Sequence, residues 1–343
     1  MRKGVIPISY DYSLIRDEFK DVAFYYAKDV VDGKRQAGKK VVKSCLRHLD
    51  DLKKINLAPY IYTYIPDKAS NAIEFIELLP DVKTGKPYPL ADFQKFNVGS
   101  IYGWRKKTDE TIRRFKKALI SVARKNGKTI IIAGVLLYEF LFGKNPALSR
   151  QLFCTANDRT QAKIAWTMAK KQLEALRTKS ADIKKATKVT RDELFNKNDE
   201  SYIRALSRDT GAVDGFEPYV GVLDEYAASK TNEMLELLES GQGQLDNSLI
   251  LIISTAGLDL NVPMHTIEYE YSRKILDGEI EDDSYFCFIA EQDSEAEIED
   301  ESTWIKSNPI LEVETLREKI MDYLRKRRKT SLETGEINKV LVK

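Results

Sequence analysis

Ser121-Val-Ala-Arg-Lys-Asn-Gly-Lys-Thr129 is the stretch that decides the fold. It grows out of an apolar run, Ala118-Leu-Ile-Ser-Val122, that reads as a buried strand, and it leads into Ile130 to Phe142, which reads as a buried helix. A strand, a loop ending in Gly-Lys-Thr and a helix form the context of a Walker A phosphate loop. The backbone N–H groups of such a loop, together with the dipole of the following helix, make a nest for the β- and γ-phosphates of a nucleotide. Lys128 would neutralise their charge and the Thr129 hydroxyl would ligate Mg²⁺. The full pattern G-x-x-x-x-G-K-[ST] needs glycine at position 122, where this chain has Val122. Only the second half matches, so an exposed basic loop capping a helix is the competing reading.

Working outward, Tyr219-Val-Gly-Val-Leu223 is a second buried strand, and it runs directly into Asp224-Glu225. That is the shape of a Walker B strand. Asp224 at the strand end reaches the Mg²⁺ shell, while Glu225 beside it orients or deprotonates the attacking water. In an open α/β sheet the ligand sits at those carboxyl ends. The plainer reading, a strand followed by solvated acids, has to account for two half-motifs in the right order on the right elements. Further strands are expected at Gln151–Thr155 and Leu249–Ile253, with helices near 160–176 and 233–238 and hairpins within 187–206, and the composition shifts past Ser284–Ile289. This alternation predicts an α/β fold of the P-loop NTPase (RecA-like) kind, a mostly parallel sheet flanked by helices. Residues 1–80 read as an N-terminal helical appendage and 81–290 as the P-loop core. Residues 291–343 read as an acidic linker and small helical subdomain, its helix at 311–329 ending in Arg325-Lys-Arg-Arg-Lys329.

The composition fits this reading. In 343 residues, 43% are hydrophobic and 31% charged with a net of only +2, which indicates a globular rather than a disordered chain. Net charge is therefore silent on nucleic acid, and local clusters of basic residues carry that question. Cys45, Cys154 and Cys287 lie far apart and the histidines are only His48 and His265, so zinc-ligand spacing is absent and a hard, oxygen-held ion such as Mg²⁺ is expected. The N-terminus lacks the apolar stretch of a signal peptide. The greasiest segment, Ile130 to Phe142, is broken by Glu139 and falls short of the roughly 20 apolar residues of a membrane span, so no membrane partner is expected.

Joined to Leu251-Ile-Ile-Ser-Thr-Ala-Gly257, the two motifs resemble the large terminase subunit of tailed bacteriophages, the motor that packages DNA, over about residues 80 to 343. Phosphate loops of that family commonly lack the early glycine and carry an arginine four residues before the lysine, which here is Arg124. The resemblance implies ATP held by Phe93, Gln94 and the loop residues Arg124, Lys125, Asn126, Gly127, Lys128 and Thr129. The Gln94 amide would pair with adenine. It implies catalysis by Glu225 with Lys128 and Arg124, Mg²⁺ on Thr129 and Asp224, and coupling through Ser254 and Thr255 at the end of their strand. Outside this context Gln94 would read as a helix-surface amide and Ser254-Thr255 as a strand exit. Cys154–Ala162 and Trp304–Pro309 also look like family segments. Ring motors usually borrow an arginine from a neighbouring subunit, and Arg159 and Arg208, both in expected loops, are the candidates.

The same resemblance implies double-stranded DNA, a portal protein and a small terminase subunit as partners. It implies a homo-oligomeric ring docked on the procapsid in the cytoplasm of the infected bacterial host, with the isolated chain a slow, monomeric ATPase. Terminases also carry an RNase H-like nuclease domain. This chain reaches Lys343 about where that domain should begin and is expected to lack it, with 291–301 as a solvated linker. Two basic runs, Trp104–Lys117 with interleaved aromatics and Arg325–Lys329, are candidate grips for DNA phosphates or else solvated faces. A superfamily 2 helicase would share the glutamine and the Asp-Glu pair, but residues after 257 do not supply its second RecA-like domain. A nucleotide-binding scaffold without turnover is the non-enzymatic alternative.

Overall fold

The computed structural model describes residues 10–155, 159–206 and 215–335, with the backbone alone at 159–162. In chain order, α1 (Val22–Val31), α2 (Lys39–Lys54), β1 (Tyr62–Tyr64), α3 (Pro66–Leu78), α4 (Asp92–Gly103), β2 (Trp104–Lys106) and β3 (Asp109–Arg113) come first. Then follow β4 (Lys117–Ser121), α5 (Lys128–Phe142), β5 (Gln151–Thr155), α6 (Arg159–Lys179), α7 (Ala181–Ala186), β6 (Thr187–Val189), β7 (Glu193–Asn196) and β8 (Tyr202–Leu206). The described chain closes with β9 (Pro218–Asp224), α8 (Glu233–Gly241), β10 (Leu249–Ser254), α9 (Glu270–Leu276), β11 (Tyr285–Ile289) and α10 (Glu314–Glu333).

The apolar runs assemble into one eight-stranded sheet in the order β11-β4-β10-β9-β5-β8-β7-β6. From β11 to β8 every neighbouring pair is parallel, and β7 and β6 extend the sheet antiparallel as a meander. The order matters for the site. β10 lies between β4 and β9, with Ser254 level with Ser121 on one side and Ile253 level with Asp224 on the other. The phosphate loop, the coupling segment and the acidic pair therefore leave the sheet side by side at its carboxyl edge.

Strands buried on both faces need apolar side chains at every position, which is why β10 reads Leu-Ile-Leu-Ile-Ile. Its odd positions join the main core and its even positions a second cluster on the opposite face. α5 is apolar all round and lies in the main core. α3 packs onto it at Gly134, where a Cβ would come within 2.7 Å of Ile76. The main core is continuous from Ile15 to Ile320, so the helices before residue 80 share it with the sheet. α2 sits on the β11 side, its Arg47 guanidinium donating to the carbonyls of Tyr285 (2.6 Å) and Asp282 (2.5 Å). Among the described residues no helix is long and apolar enough to cross a membrane.

Two charged segments depart from expectation. The basic run Trp104–Lys117 is not one solvated face: it forms β2, β3 and the entry to β4, and Arg105, Arg113 and Arg114 are 6%, 2% and 2% exposed, while Lys107 and the turn after it stay exposed. Arg113 pairs with Glu139 at 2.5 Å, Arg114 with Asp51 at 2.7 Å and Asp283 at 2.5 Å, and Lys117 with Glu239 and Glu268 at 2.7 and 2.9 Å. The acidic stretch after Glu291 is not a solvated linker either. Ile298 and Trp304 are buried, Lys306 bridges Asp293 (2.9 Å) and Glu297 (2.5 Å), and Glu291 pairs with Lys40 of α2. Arg325 and Arg328 of α10 turn back onto Glu301 and Glu299, so part of the second basic run is neutralised within the chain.

Candidate functional site

The loop between β4 and α5 is built by main-chain geometry that its sequence permits. Lys125 and Gly127 both take left-handed backbone angles, with φ of 70° and 72°. At Gly127 glycine is required twice over, since a Cβ there would also lie 2.5 Å from the Gln94 Nε2 atom. Asn126, 1% exposed, pins the turn from inside: its Nδ2 donates to the carbonyls of Ala123 (3.1 Å) and Arg124 (3.3 Å) and to Asn308 Oδ1 (3.3 Å), and its Oδ1 accepts from Ile310 N (3.0 Å). Ala123 N donates to the Ser307 carbonyl at 3.3 Å. The segment Trp304–Pro309 is thus a brace under the phosphate loop. Asn308 and Ser307 were not among the expected site residues, although Trp304–Pro309 was singled out as resembling a family segment.

Gln94 lies against the loop. It is 1% exposed, with Nε2 donating to the Asn126 carbonyl (3.1 Å) and Oε1 accepting from Ala91 N (2.9 Å). Phe93 is a core side chain, 2% exposed and stacked on Phe288 at 6.2 Å between ring centres, and offers no open face to a base. Arg124 and Lys125 are exposed at the mouth of the loop, and Lys128 and Thr129 open α5. A cavity of about 640 Å³ adjoins the loop at the carboxyl ends of β4, β10 and β11, bounded by Val122, Ala123, Ala256, His265, Glu291 and Ser307.

The acidic pair meets the loop lysine. Lys128 Nζ lies 3.5 Å from Glu225 Oε1 and donates to the carbonyls of Val122 and Ala123 at 3.3 Å. Burial pulls its ammonium below the ordinary lysine range, and Glu225 and Asp224 offset part of that loss. Asp224 moves the other way: burial, then the Glu225 charge, push its carboxyl up to about 6, against the pull of Lys128. Glu225 takes a left-handed conformation (φ 51°, ψ 43°) while its N–H donates to the Ile253 carbonyl at 3.0 Å. Its Oε2 accepts a hydrogen bond from Thr255 Oγ1 at 3.1 Å. Ser254 Oγ accepts from Ala227 N (2.9 Å) and donates to the Thr255 carbonyl (2.8 Å), tying the end of β10 to the turn after Glu225. The site thus brings together Lys128, Asp224, Glu225, Ser254 and Thr255. Arg159 opens α6 rather than sitting in a loop, and Arg208 lies outside the described residues.

The donor set suits a hard cation. Asp224 and Thr129 offer oxygen only, and a desolvated carboxylate beside a second one gains from a nearby divalent charge. The loop suits phosphates, with a desolvated lysine at the head of a long helix. The brace gives a test: Asn308→Ala removes one of the three acceptors of the buried Asn126 Nδ2, a loss of about 0.5–1.5 kcal/mol. It is expected to weaken nucleotide affinity roughly tenfold with little change in saturated turnover, read from the KM and kcat of phosphate release.

Two family models match this chain: terminase large subunit, ATPase domain, over residues 92–274, and terminase large subunit, endonuclease domain, over residues 279–342. The second overturns the expectation of a chain without the nuclease domain. Among the described residues, however, no group of three or more His, Cys, Asp or Glu is placed to hold a metal ion. The terminase large subunit of Enterobacteria phage HK97 is 28% identical over 250 residues, which are 71% of this chain and 46% of that one. The crystal structure of the HK97 bacteriophage large terminase is similar with a TM-score of 0.64 and 25% identity, over 80% of this chain and 55% of that one. The chain spans about half the length of these relatives.

Proposed function

Since this chain belongs to the terminase large subunit family, with the ATPase-domain match covering residues 92–274 of 343, we propose that it is the ATPase of a motor that drives double-stranded phage DNA into a procapsid. The observation that carries this reading is the convergence of Lys128, Glu225 and Thr255 at the carboxyl ends of adjacent strands. Lys128 and the loop N–H groups hold the β- and γ-phosphates of ATP, and the exposed Arg124 adds charge at the mouth. Thr129 and Asp224 would hold Mg²⁺, which supplies charge neutralisation on the phosphates. Glu225 orients a water in line with the γ-phosphorus and takes its proton.

Thr255 is the coupling device. Its hydroxyl touches the Glu225 carboxylate directly, so a change at the hydrolytic carboxylate is felt at once by β10 and the segment beyond it. The DNA, the portal protein and the small terminase subunit are proposed partners, in a ring of copies acting on the procapsid in the host cytoplasm. A neighbouring copy would supply the missing arginine. Membership in this family sets the helicase reading aside. The test is phosphate release by the full chain at increasing concentration, with and without Mg²⁺ and linear duplex DNA. Release that needs Mg²⁺ and rises with DNA is expected. None above a protein-free blank under any of these conditions would sink the reading.

Asp224 sets a pH dependence. Its carboxyl, raised to about 6, must lose a proton to serve a cation, so Mg²⁺-dependent turnover should fall as pH drops below about 6. Metal competes with the proton, and raising Mg²⁺ should move that limb to lower pH. The sign for stability is the reverse. An acid whose folded pKa is raised favours folding below its ordinary value of 3.8, and that contribution is lost as pH rises through about 6. Asp224→Asn is therefore expected to abolish Mg²⁺-dependent turnover yet raise stability at pH 7–8 by about 1–2 kcal/mol, measured by urea denaturation.

A further inference from the structure

At the opposite end of the sheet from the phosphate loop, a cavity of about 490 Å³ opens between α3, the C-terminal end of α5 and the amino ends of β9 and β10. Its size is that of a small-ligand pocket. One wall is aromatic: the Tyr138 ring lies 5.7 Å from Phe75, 5.5 Å from Phe142 and 5.0 Å from Tyr102.

The polar groups at this cavity are not all satisfied among the described residues. Arg105 is 6% exposed, and its guanidinium donates to two neutral carbonyls, Tyr102 O at 2.8 Å and Thr111 O at 3.3 Å. It forms no ion pair among the described residues; burial, then the neighbouring Arg113 charge, disfavour its guanidinium, and the charge of Glu139, itself bound to Arg113, offsets part of this. A buried guanidinium without a carboxylate is costly unless an anion completes it. Arg113 spends its charge on Glu139, whose other oxygen accepts from Tyr219 Oη at 2.5 Å, yet Arg113 Nε has no partner among the described residues. The Tyr102 hydroxyl, on a fully buried side chain that lines the cavity, likewise has none among them. Lys68 and Lys144 also line it without ion pairs among the described residues; the acids on the lining are Glu74 and Glu139, the latter already paired with Arg113.

We propose that this cavity is a second ligand site, separate from the nucleotide site, for a small oxyanion carried on a planar ring, a phosphate or a carboxylate. The anion completes Arg105 and takes the Tyr102 hydroxyl as a donor. The ring lies against Phe75, Tyr138 and Phe142, where stacking adds to the charge-assisted contact.

The experiment is a calorimetric titration of the full chain, carrying Lys128→Ala so that the phosphate loop does not compete, with phenyl phosphate, benzoate and inorganic phosphate. One ring-bearing anion per chain is expected, bound about tenfold tighter than inorganic phosphate, and the ratio of phenyl phosphate to benzoate identifies the oxyanion class. Arg105→Met should weaken binding at least about tenfold. Tyr102→Phe, which removes only a hydroxyl, should weaken it roughly threefold with thermal stability kept. Failure of both ring-bearing anions to bind overturns the proposal. So does binding that survives unchanged in Tyr102→Phe and Lys144→Ala, variants that remain decisive if Arg105→Met does not fold.

Discussion

Glu225→Gln keeps ATP binding and lowers saturated phosphate release by about 10²–10⁴-fold, the usual contribution of a positioned general base. The substitution is close to isosteric, so the Thr255 hydroxyl keeps an acceptor where it now meets Glu225 Oε2 at 3.1 Å. The backbone at 225 is held by its own N–H bond to Ile253, so the left-handed turn does not depend on the side-chain charge. What disappears is the base. Because the carboxylate sits 3.5 Å from Lys128, its removal also frees that ammonium for phosphate, and nucleotide affinity should stay level or tighten. Lys128→Ala gives the opposite pattern, with affinity lost first. Equilibrium binding of a fluorescent ATP analogue beside steady-state phosphate release separates the two. Unimpaired turnover in Glu225→Gln rules out its role as the base.

The placement of the candidate site residues was legible because it is local. Gly127 at a left-handed turn, Lys128 at a helix start and Asp224-Glu225 at a strand end each follow from a few adjacent residues. The parallel sheet was legible too, since strands buried on both faces leave unbroken apolar runs. What the chain order concealed is partnership over distance. Asn308 braces Asn126 from 182 residues away. Phe93 faces Phe288 in the core rather than a base, which nothing in Leu-Ala-Asp-Phe-Gln discloses. The acids from 291 to 302 read as solvated because their partners Lys40, Lys306, Arg325 and Arg328 belong to other elements, one of them at the far end of the described chain. The endonuclease match over 279–342 makes the same point at the scale of a domain.

Arg113→Met is expected to cost about 3–5 kcal/mol of stability, the range for breaking a buried ion pair on one side only. Glu139, 2% exposed, would keep a single hydrogen bond from Tyr219 Oη and no cation partner. Glu139 lies on α5 and Arg113 on β3, with Asn247 before β10 accepting a further bond at 2.7 Å, so the pair clamps the far end of the helix that carries Lys128. If the arginine instead met DNA, the same substitution would change stability by less than about 0.5 kcal/mol and would flatten the salt dependence of DNA binding. Urea denaturation and DNA titration across salt, done on one preparation, tell these apart. The double substitution Arg113→Met with Glu139→Leu sharpens the test. A pair that is costly to break but modest in net worth should recover most of the loss when both charges go, since apolar side chains of similar volume fill the same space. A double variant no more stable than Arg113→Met would mean that the geometry of the pair, and not the stranded carboxylate, holds this end of the sheet.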